Sequence, residues 1–197
     1  MLSNLIALLI HFTYLPITYF VAIAITIIGI LLAFSLPKLP PIGGNLVRLP
    51  YFPKGSFPIN VSIAICWATT GVVIAIIPTQ LATFQLTAYA GFCLVLINWT
   101  GGFLQPIIRK RFAPKTSLKL GFAIIPIGFG IVIAGSYFGF LPLVLLGTAC
   151  IGLAAYGFSY QGGLALIADL GGVQKARAVS GYMFFGYVGF GIPAVIL

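Results

Sequence analysis

Long stretches of this chain carry no charged residue, and these stretches restrict its fold more than any other feature. No Lys, Arg, Asp or Glu occurs in residues 1–37, 55–108, 120–168 or 178–197. A helix rises about 1.5 Å per residue, so about 20 apolar residues cross the roughly 30 Å hydrocarbon core of a bilayer. The stretches of 54 and 49 residues are therefore long enough for two crossings each. We expect each of them to form a helical hairpin.

The composition excludes a water-soluble globule. Hydrophobic residues make up 61% of the chain and charged residues only 6%, whereas about a quarter of the residues of a soluble domain are charged. Ten Lys or Arg against a single acid give a net charge of +9. In a soluble protein this excess would suggest nucleic-acid binding, but here the basic residues lie between apolar stretches. We therefore predict contact with the lipid bilayer and no nucleic-acid partner.

Polar and helix-breaking residues indicate the turns of the two hairpins, around Pro78 to Gln85 and around Gly135 to Gly139. The fold class predicted from this pattern is all-α, a polytopic transmembrane bundle of about six membrane segments. The helices are expected near residues 16–36, 59–78, 87–106, 119–136, 142–168 and 178–197.

With these helices, all ten basic residues fall on one side of the membrane. They follow the first, third and fifth predicted helices: Lys38, Arg48 and Lys54; Arg109, Lys110, Arg111, Lys115 and Lys119; Lys175 and Arg177. Loops rich in Lys and Arg stay in the cytoplasm. We expect a multi-pass protein of the cell membrane with its basic loops cytoplasmic and its uncharged turns outside.

The chain divides into three predicted regions. Residues 1–36 hold the end of a preceding helix and one transmembrane helix, residues 37–58 form a cytoplasmic linker rich in Pro and Gly, and residues 59–197 form a five-helix bundle. The apolar run before His11 is too short to span a bilayer, and the last apolar run ends at Leu197 without a polar cap. We expect both termini to be cut ends of a longer protein.

The basic loop after the third helix contains a recognisable pattern. The segment from Gly101 to Arg111 resembles the cytoplasmic loop motif of the major facilitator superfamily of transporters, of the type Gly-x-x-x-Asp-Arg-x-Gly-Arg-Arg. Gly101 takes the place of the leading Gly, and Arg109 and Lys110 take the place of the closing basic pair. Gln105 stands where the motif has its Asp.

The last two predicted helices carry a second resemblance. Residues 160–169, 177–182 and 187–193 resemble the tenth and eleventh helices of bacterial drug or sugar efflux members of the same superfamily. The resemblance implies the C-terminal half of such a transporter, lacking helices one to four, most of five, and twelve. It implies transport of a small-molecule substrate by alternating access, as efflux with protons as a coupling ion, together with a missing N-terminal half or another membrane subunit.

The basic loop has two interpretations. It anchors the topology by charge alone, or it belongs to a cytoplasmic gate in which Gly101 permits close helix approach and Arg109 contacts a neighbouring helix. Asp169 either pairs with Lys175 or Arg177 across a short loop or belongs to the same gate. The gate candidates are Gly101, Gln105, Arg109, Lys110, Asp169 and Arg177.

Polar residues within the predicted helices are candidates for a substrate cavity, because polar groups are costly against lipid. They are Thr69, Thr70, Gln80, Asn98, Tyr156, Ser159, Tyr160 and Gln161. The resemblance implies that residues 59–78 and 142–168 line the central cavity, which favours Tyr156, Tyr160 and Gln161. Hydrogen bonding between helices is the equal alternative.

The sequence holds no GxSxG, HExxH or Walker motif and no paired carboxylates, so we predict neither an enzyme nor a cofactor or metal site. The rival to a transporter is a non-transporting remnant or an accessory subunit that packs against another membrane protein.

Overall fold

The computed structural model describes residues 15–36 and 49–196, and all regular structure in these ranges is helical. The all-α prediction is thus confirmed. The elements in chain order are α1 (Leu15–Phe34), α2 (Phe57–Thr83), a 3-10 turn (Thr87–Tyr89), α3 (Ala90–Arg111), α4 (Pro114–Tyr137), α5 (Leu141–Gly152), a π-helical segment (Leu153–Ser159), α6 (Tyr160–Gly171), a second 3-10 turn (Gly172–Gln174) and α7 (Lys175–Ile196).

The chain consists of two compact units, Met1–Arg48 and Leu49–Leu197. In the first unit the structure describes α1, an apolar helix without charged residues. The helix end predicted before Leu15 and most of the predicted linker, residues 37–48, lie outside the described residues, as do the basic residues Lys38 and Arg48.

Within the described residues, four stretches are long and apolar enough to cross a membrane: Phe57–Thr83, Thr87–Arg111, Pro114–Tyr137 and Leu141–Pro193. The longest of them contains a turn, because Gly172 has a φ of +49° and ends α6 before α7 begins. Helices α6 and α7 then pack against each other. The chain therefore has the helices of a membrane protein, while the count of six crossings stays a prediction.

Two prolines expected near helix ends lie inside helices. Pro78 lies within α2, which runs to Thr83, and Pro106 lies within α3, which runs to Arg111. A proline removes one backbone donor, but neighbouring helices can compensate for this within a membrane bundle. The first hairpin turn therefore lies at the end of the predicted range, at Phe84 to Leu86, where Gln85 has a φ of +60°.

The predicted basic loop is shorter than expected. Arg109, Lys110 and Arg111 form the last turn of α3, where positive charge complements the helix dipole. Only Phe112 and Ala113 separate α3 from α4, because Pro114 begins the next helix with a pre-set φ. Lys115 and Lys119 thus lie in the first two turns of α4 rather than in a loop.

The basic residues described by the structure lie at one end of the bundle, at the start of α2, α4 and α7 and at the end of α3. We call this the basic end; it includes Lys54, Arg109, Lys110, Arg111, Lys115, Lys119, Lys175 and Arg177. The uncharged turns lie at the opposite end, where the ring of Phe84 lies against Gly139 of the second hairpin.

Glycines allow the helices to approach closely. A Cβ added to Gly71 of α2 would lie 2.6 Å from the carbonyl oxygen of Phe190 in α7. Gly152 of α5 faces the backbone of Ile97 in α3 in the same way. Small residues at such contacts are typical of membrane helices, which gain little from the hydrophobic effect against lipid and associate by close packing.

We predict that Gly152→Ala destabilises the protein, because the added methyl group has no room beside the Ile97 carbonyl. Overpacking of this kind costs about 1–3 kcal/mol, which exceeds the helix propensity of about 1 kcal/mol that alanine gains over glycine. The measurement is the free energy of unfolding in detergent, from a sodium dodecyl sulfate titration followed by circular dichroism.

Gly130→Ala in α4 is the matched control, because nothing lies within 4 Å of an added Cβ there. This variant should keep or raise the stability of the wild type. Equal stability of the two variants would contradict the close packing of α3 on α5.

Candidate functional site

The π-helical segment Leu153–Ser159 is the centre of the candidate site, because three other helices donate hydrogen bonds to its backbone. The Gln105 side-chain amide of α3 donates to the carbonyl of Tyr156 at 3.0 Å. The Ser117 hydroxyl of α4 donates to the carbonyl of Phe158 at 2.8 Å. The Tyr182 hydroxyl of α7 donates to the carbonyl of Ser159 at 3.2 Å. These bonds fix the segment from three sides.

The local sequence explains why the neighbours can approach this segment. It is rich in Ala and Gly, and Gly101 of α3 lies so close that an added Cβ would stand 2.7 Å from the Gly157 backbone nitrogen. On the α4 side, Gly121 lies against Ser159. π-Helical segments interrupt regular helices and occur often at functional sites.

Four aromatic rings from α2, the π-helical segment, α6 and α7 meet beside this segment. The ring of Trp67 lies 5.6 Å from that of Tyr156, 6.5 Å from that of Tyr160 in a stacked arrangement, and 5.3 Å from that of Tyr187 edge-on. We call these four residues the aromatic cluster. The structure thus brings together two predicted substrate-facing residues, Tyr156 and Tyr160.

The aromatic cluster has a buried side and an open side. Trp67 is 9% exposed, and its Nε1 donor is buried without a hydrogen-bond partner in the described part of the chain. Tyr187 is 66% exposed. The cluster is therefore exposed at Tyr187, while the indole donor of Trp67 is buried behind the rings.

The structure separates the third favoured residue, Gln161, from the aromatic cluster. Gln161 lines two cavities at the basic end, of about 410 and 400 Å³, and Arg109 lines both of them. Gln105 and Lys110 line the second of these cavities. One side of α3, which faces the π-helical segment or α6, thus carries four of the predicted gate residues: Gly101, Gln105, Arg109 and Lys110.

The remaining cavity candidates are dispersed. The side chains of Thr69, Thr70 and Asn98 donate to carbonyls of their own helices, at Ile65, Cys66 and Leu94. The Ser159 hydroxyl is buried without a hydrogen-bond partner among the described residues.

Gln80 is exposed at the far end of α2. It lines an apolar cavity of about 230 Å³ between α2 and α4, away from the other candidates. The eight predicted polar residues therefore do not line one shared cavity in the structure.

The structure does not show the pairing of Asp169 with Lys175 or Arg177 that was one of the two interpretations, and the Arg177 guanidinium has other partners. It donates to the carbonyl of Leu49 at 2.9 Å and to the side chain of Gln174 at 3.1 Å. Asp169 is exposed and makes no ion pair, with Lys175 or any other residue, within residues 15–36 and 49–196. An exposed ion pair gains little free energy, which explains why this one does not form. Arg177 instead holds the residues before α2 against the start of α7.

Sequence reasoning missed Trp67, Ser117, Tyr182 and Tyr187. Trp67 and Tyr187 lie in apolar stretches where an aromatic residue is unremarkable, and the π-helical segment has no pattern that identifies it from the sequence alone. The spacing of Tyr156 and Tyr160, four residues apart on one helical face, was the available signal for an aromatic surface.

Comparison with known proteins adds no family assignment: no family model, no curated protein and no solved structure matches the chain. In the described part of the chain, His, Cys, Asp and Glu residues form no group of three that could hold a metal ion.

We predict that Ser117→Ala lowers the free energy of unfolding by about 1 kcal/mol, because it removes a buried donor to the π-helical segment. Ser62→Ala is the matched control, since Ser62 is similarly buried but donates within its own helix, to Ile59. A sodium dodecyl sulfate titration of both variants measures the difference. If both variants lose the same free energy of unfolding, the hydrogen bond between α4 and the π-helical segment contributes no more to stability than one within a single helix.

Proposed function

We propose that the chain takes part in transmembrane transport of a small solute by alternating access, as part of the C-terminal half of a transporter of the major facilitator type working in efflux. The observation that carries this proposal is the aromatic cluster beside the π-helical segment. Transporters bind their substrates near the middle of the membrane, at helices whose regular structure is interrupted. An interrupted helix bordered by four aromatic rings fits this description.

The aromatic cluster favours a small amphipathic solute. Aromatic rings supply a large apolar contact area, and the hydroxyl groups of Tyr and the indole N–H of Trp offer polar contacts. The Trp67 Nε1 has no hydrogen-bond partner within the described residues and would become such a contact for a solute that enters between the rings. A solute with an apolar body and one hydrogen-bond acceptor fits this set of groups.

Coupling to protons would depend on residues outside the aromatic cluster. The single acid, Asp169, lies exposed near the end of α6 rather than in the middle of a helix. Titratable groups that couple transport lie within the membrane and face the bundle interior. In this proposal the residue that couples transport to protons belongs to the N-terminal half of the transporter or to another membrane subunit.

A non-transporting accessory subunit is the second candidate, and α7 favours it. Large hydrophobic side chains on this helix are exposed, including Phe184, Val188 and Ile192. In an accessory role these side chains would pack against another membrane protein. Solute binding at the aromatic cluster separates the two candidates.

Fluorescence of Trp67 tests solute binding. The chain has two tryptophans, so Trp99→Phe leaves Trp67 as the single reporter. In the detergent-purified protein, a panel of an aromatic amine, a fatty alcohol and an alkyl glycoside should include a member that changes this fluorescence saturably. Tyr160→Ala should weaken that binding about ten-fold, because the stacked ring is lost.

Tyr89→Ala is the matched control, since Tyr89 is exposed in the 3-10 turn at the uncharged end. It should bind like the wild type. No response to any of the three solutes would favour the accessory subunit, and equal weakening by the two variants would argue against binding at the aromatic cluster.

We further propose that the basic end faces the cytoplasm of a cell membrane, because positively charged segments are retained on that side. With the native cysteines replaced, Lys115→Cys should be protected from a membrane-impermeant thiol reagent added to intact cells, and Phe138→Cys should react. Both side chains are exposed in the folded chain. The reverse labelling pattern would overturn the orientation.

A further inference from the structure

The basic end carries much more positive charge than the described protein neutralises. Five basic residues lie within the last turn of α3 and the first two turns of α4: Arg109, Lys110, Arg111, Lys115 and Lys119. The whole chain has one acid, Asp169, and it forms no ion pair in the described ranges. A concentrated positive charge at a membrane boundary needs anions from elsewhere.

The two cavities at this end place one of these charges at a concave site. Arg109 and Gln161 line both cavities, so the two cavities share one basic residue and one residue with a side-chain amide. Lys110 adds a second charge to the cavity of about 400 Å³. Guanidinium and amide groups are hydrogen-bond donors suited to phosphate oxygens.

The larger cavity, of about 410 Å³, continues from these polar groups along apolar walls. Ile108, Phe112 and Leu164 line it together with Arg109 and Gln161. The Ser117 hydroxyl also lines it but already donates to the Phe158 carbonyl. The two adjoining cavities therefore combine basic and amide residues with apolar residues, between α3, α4 and α6.

We propose that this site binds an anionic phospholipid, with the phosphate at Arg109, Lys110 and Gln161 and the start of an acyl chain along Ile108, Phe112 and Leu164. Basic pockets between membrane helices are suited to acidic headgroups, and an acyl chain extends into the bilayer as no free anion does. The apolar wall thus favours a lipid over inorganic phosphate. This inference does not depend on the transport proposal.

The test is native mass spectrometry of the full chain in a nonionic detergent, titrated with phosphatidylglycerol or with phosphatidylcholine of the same acyl chains. The wild type should bind phosphatidylglycerol at least about five-fold more tightly, and Arg109→Gln should weaken that binding about five-fold. Arg111→Gln is the matched control: it makes the same change of charge in the same helical turn, and Arg111 is exposed like Arg109 but lines neither cavity.

Three results would overturn the proposal. Equal affinity for the two lipids would mean that the headgroup charge is not recognised, and equal losses in Arg109→Gln and Arg111→Gln would indicate diffuse attraction without a site. If inorganic phosphate or glycerol phosphate displaces the lipid when both are present at the same concentration, the site is one for free anions. Circular dichroism of each variant verifies that it is folded. If Arg109→Gln does not fold, Ala165→Leu replaces it, because this change narrows the larger cavity without changing the charge. Ala165→Leu should likewise weaken lipid binding.

Discussion

Backbone hydrogen bonding without water is the constraint on which the rest of the bundle depends. In hydrocarbon every peptide group needs a partner within the protein, and an interrupted helix can persist only where neighbouring groups supply one. The π-helical segment Leu153–Ser159 meets this condition through donors on three helices, from Gln105, Ser117 and Tyr182. The same bonds position α3, α4 and α7 around it. An irregularity of one helix thus determines how its neighbours pack.

These hydrogen bonds form where helix backbones lie close together, and the glycines lie at the same contacts. Gly101 on α3 and Gly121 on α4 both face the π-helical segment or its immediate neighbours, and each lies in the helix that carries a donor. A side chain at either position would push its helix away and lengthen the hydrogen bond from Gln105 or Ser117. At this site the hydrogen bonds to the backbone of the π-helical segment therefore depend on small residues at the helix contacts.

The helical class and the separation of a basic from an uncharged end could be predicted, because the cost of moving a charge into hydrocarbon acts on every residue and leaves its pattern directly in the sequence. The site could not be predicted to the same degree. Gln161 follows Tyr160 directly but belongs to the basic cavities, since adjacent residues point about 100° apart around a helix. The turn expected around Pro78 to Gln85 begins only after Thr83, since proline weakens a helix without always ending it. Trp67 and Tyr187 join Tyr156 and Tyr160 only through tertiary packing.

The absence of acids from the aromatic cluster has a consequence for selectivity. Trp67, Tyr156, Tyr160 and Tyr187 carry no formal charge, so recognition there rests on apolar contact and on a few polar groups such as the Trp67 indole. Apolar contact discriminates weakly, because one methylene group changes affinity by about 10- to 200-fold at most. A site that hydrogen-bonds its ligand discriminates far more strongly, because a ligand without the matching group leaves a buried donor unpaired. The Trp67 indole, already buried without a partner in the described chain, would therefore favour a solute that carries an acceptor over a purely apolar one.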